Sequence, residues 1–213
     1  SMFTALCMTA NGDNGQTHKE ILRILGIENA LEFDNLNKYN RLLLEQMPHS
    51  DDISTYAVAN SFWYAPEYQI NTEFGNMMTG FYHASIFDQS PKGKEGMDRI
   101  NSWVSEKTGK MLTDLIDSPK DWEAAIINAA YFKGKWQTPF LPENTKPGPF
   151  HNINGTDENA DFMHNTTVSL YKEKEGVEFI SLPYENARYE MLLFLPEESS
   201  DFSSYASTFD WES

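Results

Sequence analysis

The five histidines of this 213-residue chain, His18, His49, His83, His151 and His164, are the side chains best suited to acid–base or metal chemistry near neutral pH. Their spacing supports neither. None stands four residues from another, the separation that turns two imidazoles toward one metal from a helix face. Each reads as a surface or interface residue. The doublets Asp51-Asp52 and Glu197-Glu198 fall in turn-like polar segments, where solvated loops are the default and paired acid–base catalysis is remote. There is no G-x-S-x-G elbow, no phosphate-cradling glycine loop and no dinucleotide fingerprint. The single Cys7, between Leu6 and Met8, reads as a small buried apolar residue, with a reactive thiol as the lesser alternative. One cysteine also excludes an internal disulfide. The expectation is a protein that is not an enzyme, with no metal site and no cofactor.

The residue whose chemistry stands out is an uncharged amide. Ala124-Ala125-Ile126-Ile127 leads into Asn128, and no charge appears from Ala124 to Phe132. Strict alternation would mean a strand buried on one face; a short continuous apolar run means one covered on both. An amide there is costly unless its donors and acceptor find partners. If Asn128 is buried between strands, removing it should orphan those partners, at roughly 1–3 kcal/mol. Lys133-Gly134-Lys135 ends the strand as a charged turn, and Trp136 and Phe140 return the chain to apolar surface.

The elements that position this strand read as helices first and strands later. Thr17-His18-Lys19-Glu20 has capping-box spacing ahead of Ile21, Leu22 and Leu25, with Gly26 as the stop. A second helix is predicted over Asp34 to Met47, terminated by Pro48. Ile53 to Tyr64 has strand periodicity. Phe74, Met77, Met78 and Phe81 return to helical spacing, and Met97, Ile100, Val104, Met111 and Leu115 predict the longest helix of the middle region. Beyond Phe140 the prolines break long elements, and Asn152 to Asp161 reads as a polar loop. Strands are predicted over Met163 to Tyr171, Val177 to Leu182 and Tyr189 to Leu195. Ser199 to Ser213 reads as a short amphipathic helix or a frayed end. No repeat or linker interrupts the chain, so residues 1–213 are expected to be one domain.

With 40% apolar residues and 14% aromatics, the chain is globular rather than disordered. A formal net charge of −16 repels phosphates, which argues against nucleic acid or an anionic membrane as partner. No run of about eighteen apolar residues is present for a spanning helix. Asn154-Gly155-Thr156 and Asn165-Thr166-Thr167 are N-glycosylation sequons, a short pattern that is often idle.

The order and identity of the residues from Asn128 to Phe140, NAAYFKGKWQTPF, resemble the signature of the serpins, the serine-protease-inhibitor family. Four further blocks agree in family order. Ile100-Asn101-Ser102-Trp103-Val104, with Thr108-Gly109-Lys110-Met111 and Leu115-Ile116, resembles the helix lying across the family's main sheet. Ala5-Leu6-Cys7-Met8 through Leu25-Gly26 is similar to its second and third helices. Asn60 with Phe62-Trp63 resembles the strand beside the Asn128 strand, and Leu182-Pro183-Tyr184 with Met191 to Pro196 a hairpin of its second sheet.

The resemblance implies an α+β, serpin-like fold, helices packed around large mixed β-sheets, here incomplete at both ends and without the reactive-centre loop. It implies a suicide-substrate inhibitor of serine (or cysteine) proteases, whose loop inserts on cleavage as a new strand of a metastable sheet. The alternative is a non-inhibitory serpin acting as a binding or chaperone module. Asn128 matches the shutter asparagine, where the central strands part; Ser1 falls at a shutter serine, and a terminal serine equally fits a cloning remnant. Trp136 matches the breach tryptophan, where loop insertion begins. A secreted, extracellular protein is implied by family, although no targeting segment is visible. Heparin is an unlikely partner, since Lys38 and Arg41 face Glu32, Asp34 and Glu45 in the relevant helix. Lacking the strands expected beside Asn128, the chain is expected to self-associate through an exposed edge. Target protease, reactive bond and source are not readable from these residues.

Overall fold

A computed structural model describes residues 2–174 and 176–197. Its chain divides into two compact units, residues 1–133 and 134–213. The predicted end segment from Ser199 to Ser213 lies outside the described residues, as does Ser1.

In the first unit, α1 (Met2–Ala10), α2 (Gln16–Ile24) and α3 (Ala30–Gln46) precede β1 (His49–Ser50) and β2 (Ser54–Tyr64). Then come α4 (Thr72–Tyr82), β3 (Ser85–Phe87), α5 (Gly93–Lys107) and β4 (Ala124–Gly134). The helix starts show how local chemistry sets the boundaries. α2 begins at Gln16, earlier than Thr17-to-Glu20 spacing suggested, because the Asp13 carboxylate accepts from the Gly15 and His18 amides at 2.9 and 3.1 Å. Thr17 thus falls inside the first turn. The reciprocal cap occurs one helix later: Asn29 Oδ1 accepts from the Glu32 amide at 3.0 Å, and Glu32 accepts from the Glu28 amide at 2.8 Å.

α5 also departs from expectation by ending at Lys107 rather than running to Leu115. Gly109 (φ +58°) and Lys110 (φ +65°) both adopt the left-handed region, which turns the chain out of the helix. Asn101 then clamps the returning strand of loop: its Nδ2 donates to Ile116 O and its Oδ1 accepts from Ile116 N, each at 2.9 Å. Ile116 is thereby held in the core although no helix carries it.

β2 is the hub of the first sheet. It pairs with β1 antiparallel, with β3 in parallel, and with β4. One face packs on α5 through Trp63, Ile100, Trp103, Val104, Ile116, Ile127 and Ala129. The other packs on α1 and α4, through Cys7, Met8, Met78 and Tyr82, with Ile126 of β4 against them. Neighbours along β4 therefore bury on opposite faces, as the uninterrupted apolar run requires. Each fully buried large side chain here stabilises the fold by roughly 1.5–3 kcal/mol.

The second unit contains a 3₁₀ turn (Pro142–Asn144), then β5 (Lys146–His151), β6 (Asp157–Phe162), β7 (Leu170–Lys174), β8 (Val177–Pro183) and β9 (Glu190–Pro196). β5 and β6 form a two-stranded hairpin where a polar loop was expected. Pro147 and Pro149 do not prevent it: two residues apart, they remove donors from the same edge of β5 and leave the other for β6. The strand expected over Met163 to Tyr171 begins only at Leu170. Before it, Asn165 and Thr167 spend their side chains on residues 138 and 139. β7, β8 and β9 form an antiparallel sheet close to the expected bounds.

Candidate functional site

The polar centre of the first sheet lies where β2 and β4 run side by side. The Ala65 amide, just past β2, donates to Glu123 O at 2.9 Å, just before β4, which brings Asn60 opposite Asn128. Asn128 Nδ2 donates to Asn60 Oδ1 at 2.6 Å, and Asn60 Nδ2 donates to Tyr82 O at 2.7 Å. The two amides can only be oriented this way. Tyr82 ends α4, and its carbonyl is one of the acceptors a helix C-terminus leaves without a partner. Asn60 must therefore turn its donor to Tyr82 and its acceptor to β4, so Asn128 must present its nitrogen.

That orientation leaves Asn128 Oδ1 buried and without a hydrogen-bond partner among the described residues. A buried orphan acceptor carries a cost of about 1–3 kcal/mol. The sequence signalled Asn128 because it interrupts an apolar run. Asn60 gives the same signal, an amide between Ala59 and Phe62-Trp63. Tyr82 gave none, since its contribution here is a backbone carbonyl.

Tyr82 also anchors a second polar cluster under the sheet. It is fully buried; its hydroxyl donates to Asn37 Oδ1, and Asn11 Nδ2 reaches the same hydroxyl at 3.2 Å and Asn37 at 3.0 Å. Burial raises the Tyr82 hydroxyl well above the ordinary tyrosine value, so it remains a donor. Cys7 is fully buried beside this cluster, and desolvation pushes its thiol up to about 11, opposed in part by a hydrogen bond from Asn40. The apolar reading of Cys7 fits that setting.

In the second unit Trp136 stacks on Tyr184 with ring centroids 4.4 Å apart and planes 12° apart, and meets Phe140 edge-on at 6.0 Å. The backbone reinforces the stack: Gln137 N donates to Pro183 O at 3.0 Å and Glu185 N to Lys135 O at 2.8 Å. Burial also raises the Tyr184 hydroxyl. Asn128 and Trp136 thus belong to different units, each with its own partners. Of the sequons, Asn154 lies at the tip of the β5–β6 hairpin, and Asn165 lies against Thr138.

Among the described residues, no group of three histidines, cysteines or carboxylates could hold a metal, and no helix is long and apolar enough to cross a membrane. β4 pairs with β2 alone among the described strands, and its second edge is long and uncharged from Ala124 to Phe132.

The serpin (serine protease inhibitor) family profile matches residues 1–213. A serine protease inhibitor of the jellyfish Cyanea capillata is 27% identical over 215 residues, covering 98% of this chain and 56% of that protein. Human neuroserpin is 28% identical over 217 residues, covering 93% of this chain and 51% of the relative. The crystal structure of the thermophilic serpin Tengpin in its native state superposes with a TM-score of 0.83 at 26% identity, over 98% of this chain and 53% of that one. The chain thus spans about half the length of the relatives it matches.

Proposed function

The chain belongs to the serpin family, and we propose that its 213 residues act as that fold's strand-accepting scaffold, a binding module without inhibitory activity of its own. The family is named for protease inhibition rather than for catalysis, and no catalytic cluster is proposed. The observation that carries this reading is the orphaned Asn128 Oδ1, buried in a strand that pairs with β2 alone among the described strands. An extended segment laid along β4 gains backbone hydrogen bonds along its eleven residues. Asn60 and Asn128 act as the lock between β2 and β4, Trp136 as an anchor of its own unit, and Ser1 as a further shutter residue by position in the family pattern. With no peptide on the edge, a second copy of the chain is the competing occupant.

The test has two arms. Incubation with trypsin-like and papain-like proteases is expected to give no detergent-stable complex and no stoichiometric loss of protease activity. An acetylated peptide of alternating Thr, Ala and Val, matched to β4 in length, is expected to bind and to shift the chain toward monomer in light scattering. A covalent protease complex, or a monomer indifferent to the peptide, would overturn the reading.

A second reading concerns a longer protein containing these residues: suicide-substrate inhibition of a serine (or cysteine) protease, in an extracellular setting. The family itself and the Cyanea capillata relative favour it. Its signature would be a covalent complex formed by that longer protein.

A further inference from the structure

Two tripeptides of identical sequence type, Asn-X-Thr, occur in the second unit with opposite geometry. Asn154-Gly155-Thr156 caps the β5–β6 hairpin, where Asn152 N donates to Thr156 O and Gly155 N to Asn152 O, both at 2.9 Å. Gly155 has φ +79°, a conformation that fixes the turn and suits glycine. Within it, Asn154 Oδ1 accepts two hydrogen bonds, from Thr156 N at 3.0 Å and from Thr156 Oγ1 at 2.7 Å. Asn154 is exposed, and its Nδ2 makes no hydrogen bond among the described residues.

Asn165-Thr166-Thr167 is closed instead. Asn165 Nδ2 donates to Thr138 O at 2.9 Å and reaches Pro139 O at 3.4 Å. The Thr167 hydroxyl turns to Thr138 Oγ1 at 3.2 Å rather than to its own asparagine.

We propose that Asn154 is an N-glycan acceptor and that Asn165, in the folded chain, is not. The chemistry is transfer of an oligosaccharide from a polyprenyl diphosphate. The Nδ2 nitrogen of Asn154 loses one proton and bonds to the anomeric carbon, while that carbon's bond to the diphosphate oxygen breaks and the diphosphate leaves with the electron pair. As the proton departs, charge builds on Oδ1, where the Thr156 amide and hydroxyl already donate; such preplaced donors favour the charged form. At Asn165 the same step would strip a hydrogen from an amide that binds residues 163–169 to 138–139. A glycan at Asn154 also covers apolar surface that nothing else in the hairpin shields: Ile153 is fully exposed and Phe150 about half exposed.

The test is to express the full chain behind a secretion leader in a eukaryotic cell line and map its peptides after peptide-N-glycosidase treatment in ¹⁸O-water. If the chain is retained in the cell, the same map is made on the endoplasmic-reticulum fraction. Labelled aspartate is expected at 154 in most copies and at 165 in few. Asn154→Gln and Thr156→Val are each expected to abolish the glycosidase-sensitive mobility shift, while Asn165→Gln keeps it. Unlabelled 154, equal occupancy of both sites, or a shift that survives Asn154→Gln would overturn the proposal.

Discussion

Replacing the two asparagines of the β2–β4 lock by alanine should have unequal consequences, although both are amides in one hydrogen bond. Asn60→Ala orphans two groups, the buried Tyr82 carbonyl and the half-buried Asn128 Nδ2. At about 1–3 kcal/mol for each unmade bond, the loss is roughly 2–6 kcal/mol. Asn128→Ala orphans only Asn60 Oδ1, again about 1–3 kcal/mol, and deletes an Oδ1 that already lacks a partner, which offsets about the same amount. Its net cost in this chain is near zero, below what the sequence alone implied. The cavity left is larger at buried Asn60 than at half-buried Asn128, which adds to the difference in the same direction. Urea unfolding followed by tryptophan fluorescence, with the double variant closing a cycle, measures the difference directly. Asn60→Ala should be the less stable by at least about 2 kcal/mol, with an unchanged denaturant slope. Equal losses, or a larger loss for Asn128→Ala, would refute the amide orientation and the orphaned oxygen together.

Cys7, with its thiol pushed up to about 11 by burial, should resist thiol reagents at pH 8 until denaturant is added. Because its folded value lies above the ordinary thiol value of 9.0, stability should be full below that pH and decline as pH rises further; native-state labelling at pH 8 would contradict the raised value. Asp51 is held well below the usual carboxylate range, first by the Ser54 amide, then by His49 and the Ile53 amide. Its contribution to the β1–β2 turn should therefore be present above its ordinary pKa and lost as pH falls further, a difference that disappears in Asp51→Ala acid-unfolding curves. Heparin should not retain the chain at physiological salt, since Arg41 is paired with Glu45 at 2.7 Å and the net charge is −16; retention on a heparin column would show otherwise.

The parts of the fold legible in the sequence are those where one local pattern governs. β4 is visible because nine successive residues carry no charge, and Asn128 because an amide interrupts them. β8 and β9 are visible through shorter uncharged apolar runs, residues 179–183 and 191–196. The end of α5 is not, because Met111 and Leu115 keep helical spacing while the left-handed Gly109 and Lys110 break the helix. Nor is the β5–β6 hairpin, whose prolines read as breakers and become harmless only once a partner strand occupies a single edge. The lock was half legible. Asn60 and Asn128 each announce a buried amide, but which atoms they share is decided by the Tyr82 carbonyl, placed there by the end of α4. No pattern in Thr72–Tyr82 records that requirement.

Residue-resolved hydrogen exchange along β4, with and without the alternating Thr/Ala/Val peptide, tests strand acceptance most directly. In the chain at concentrations where it is monomeric, the amides of Ala124–Gly134 that face away from β2 should exchange fast while those bonded to β2 are protected. Adding the peptide should slow the fast set alone, leaving β7, β8 and β9 unchanged. Uniform protection along β4 before any peptide is added, or no change on adding it, would contradict the role assigned to this strand.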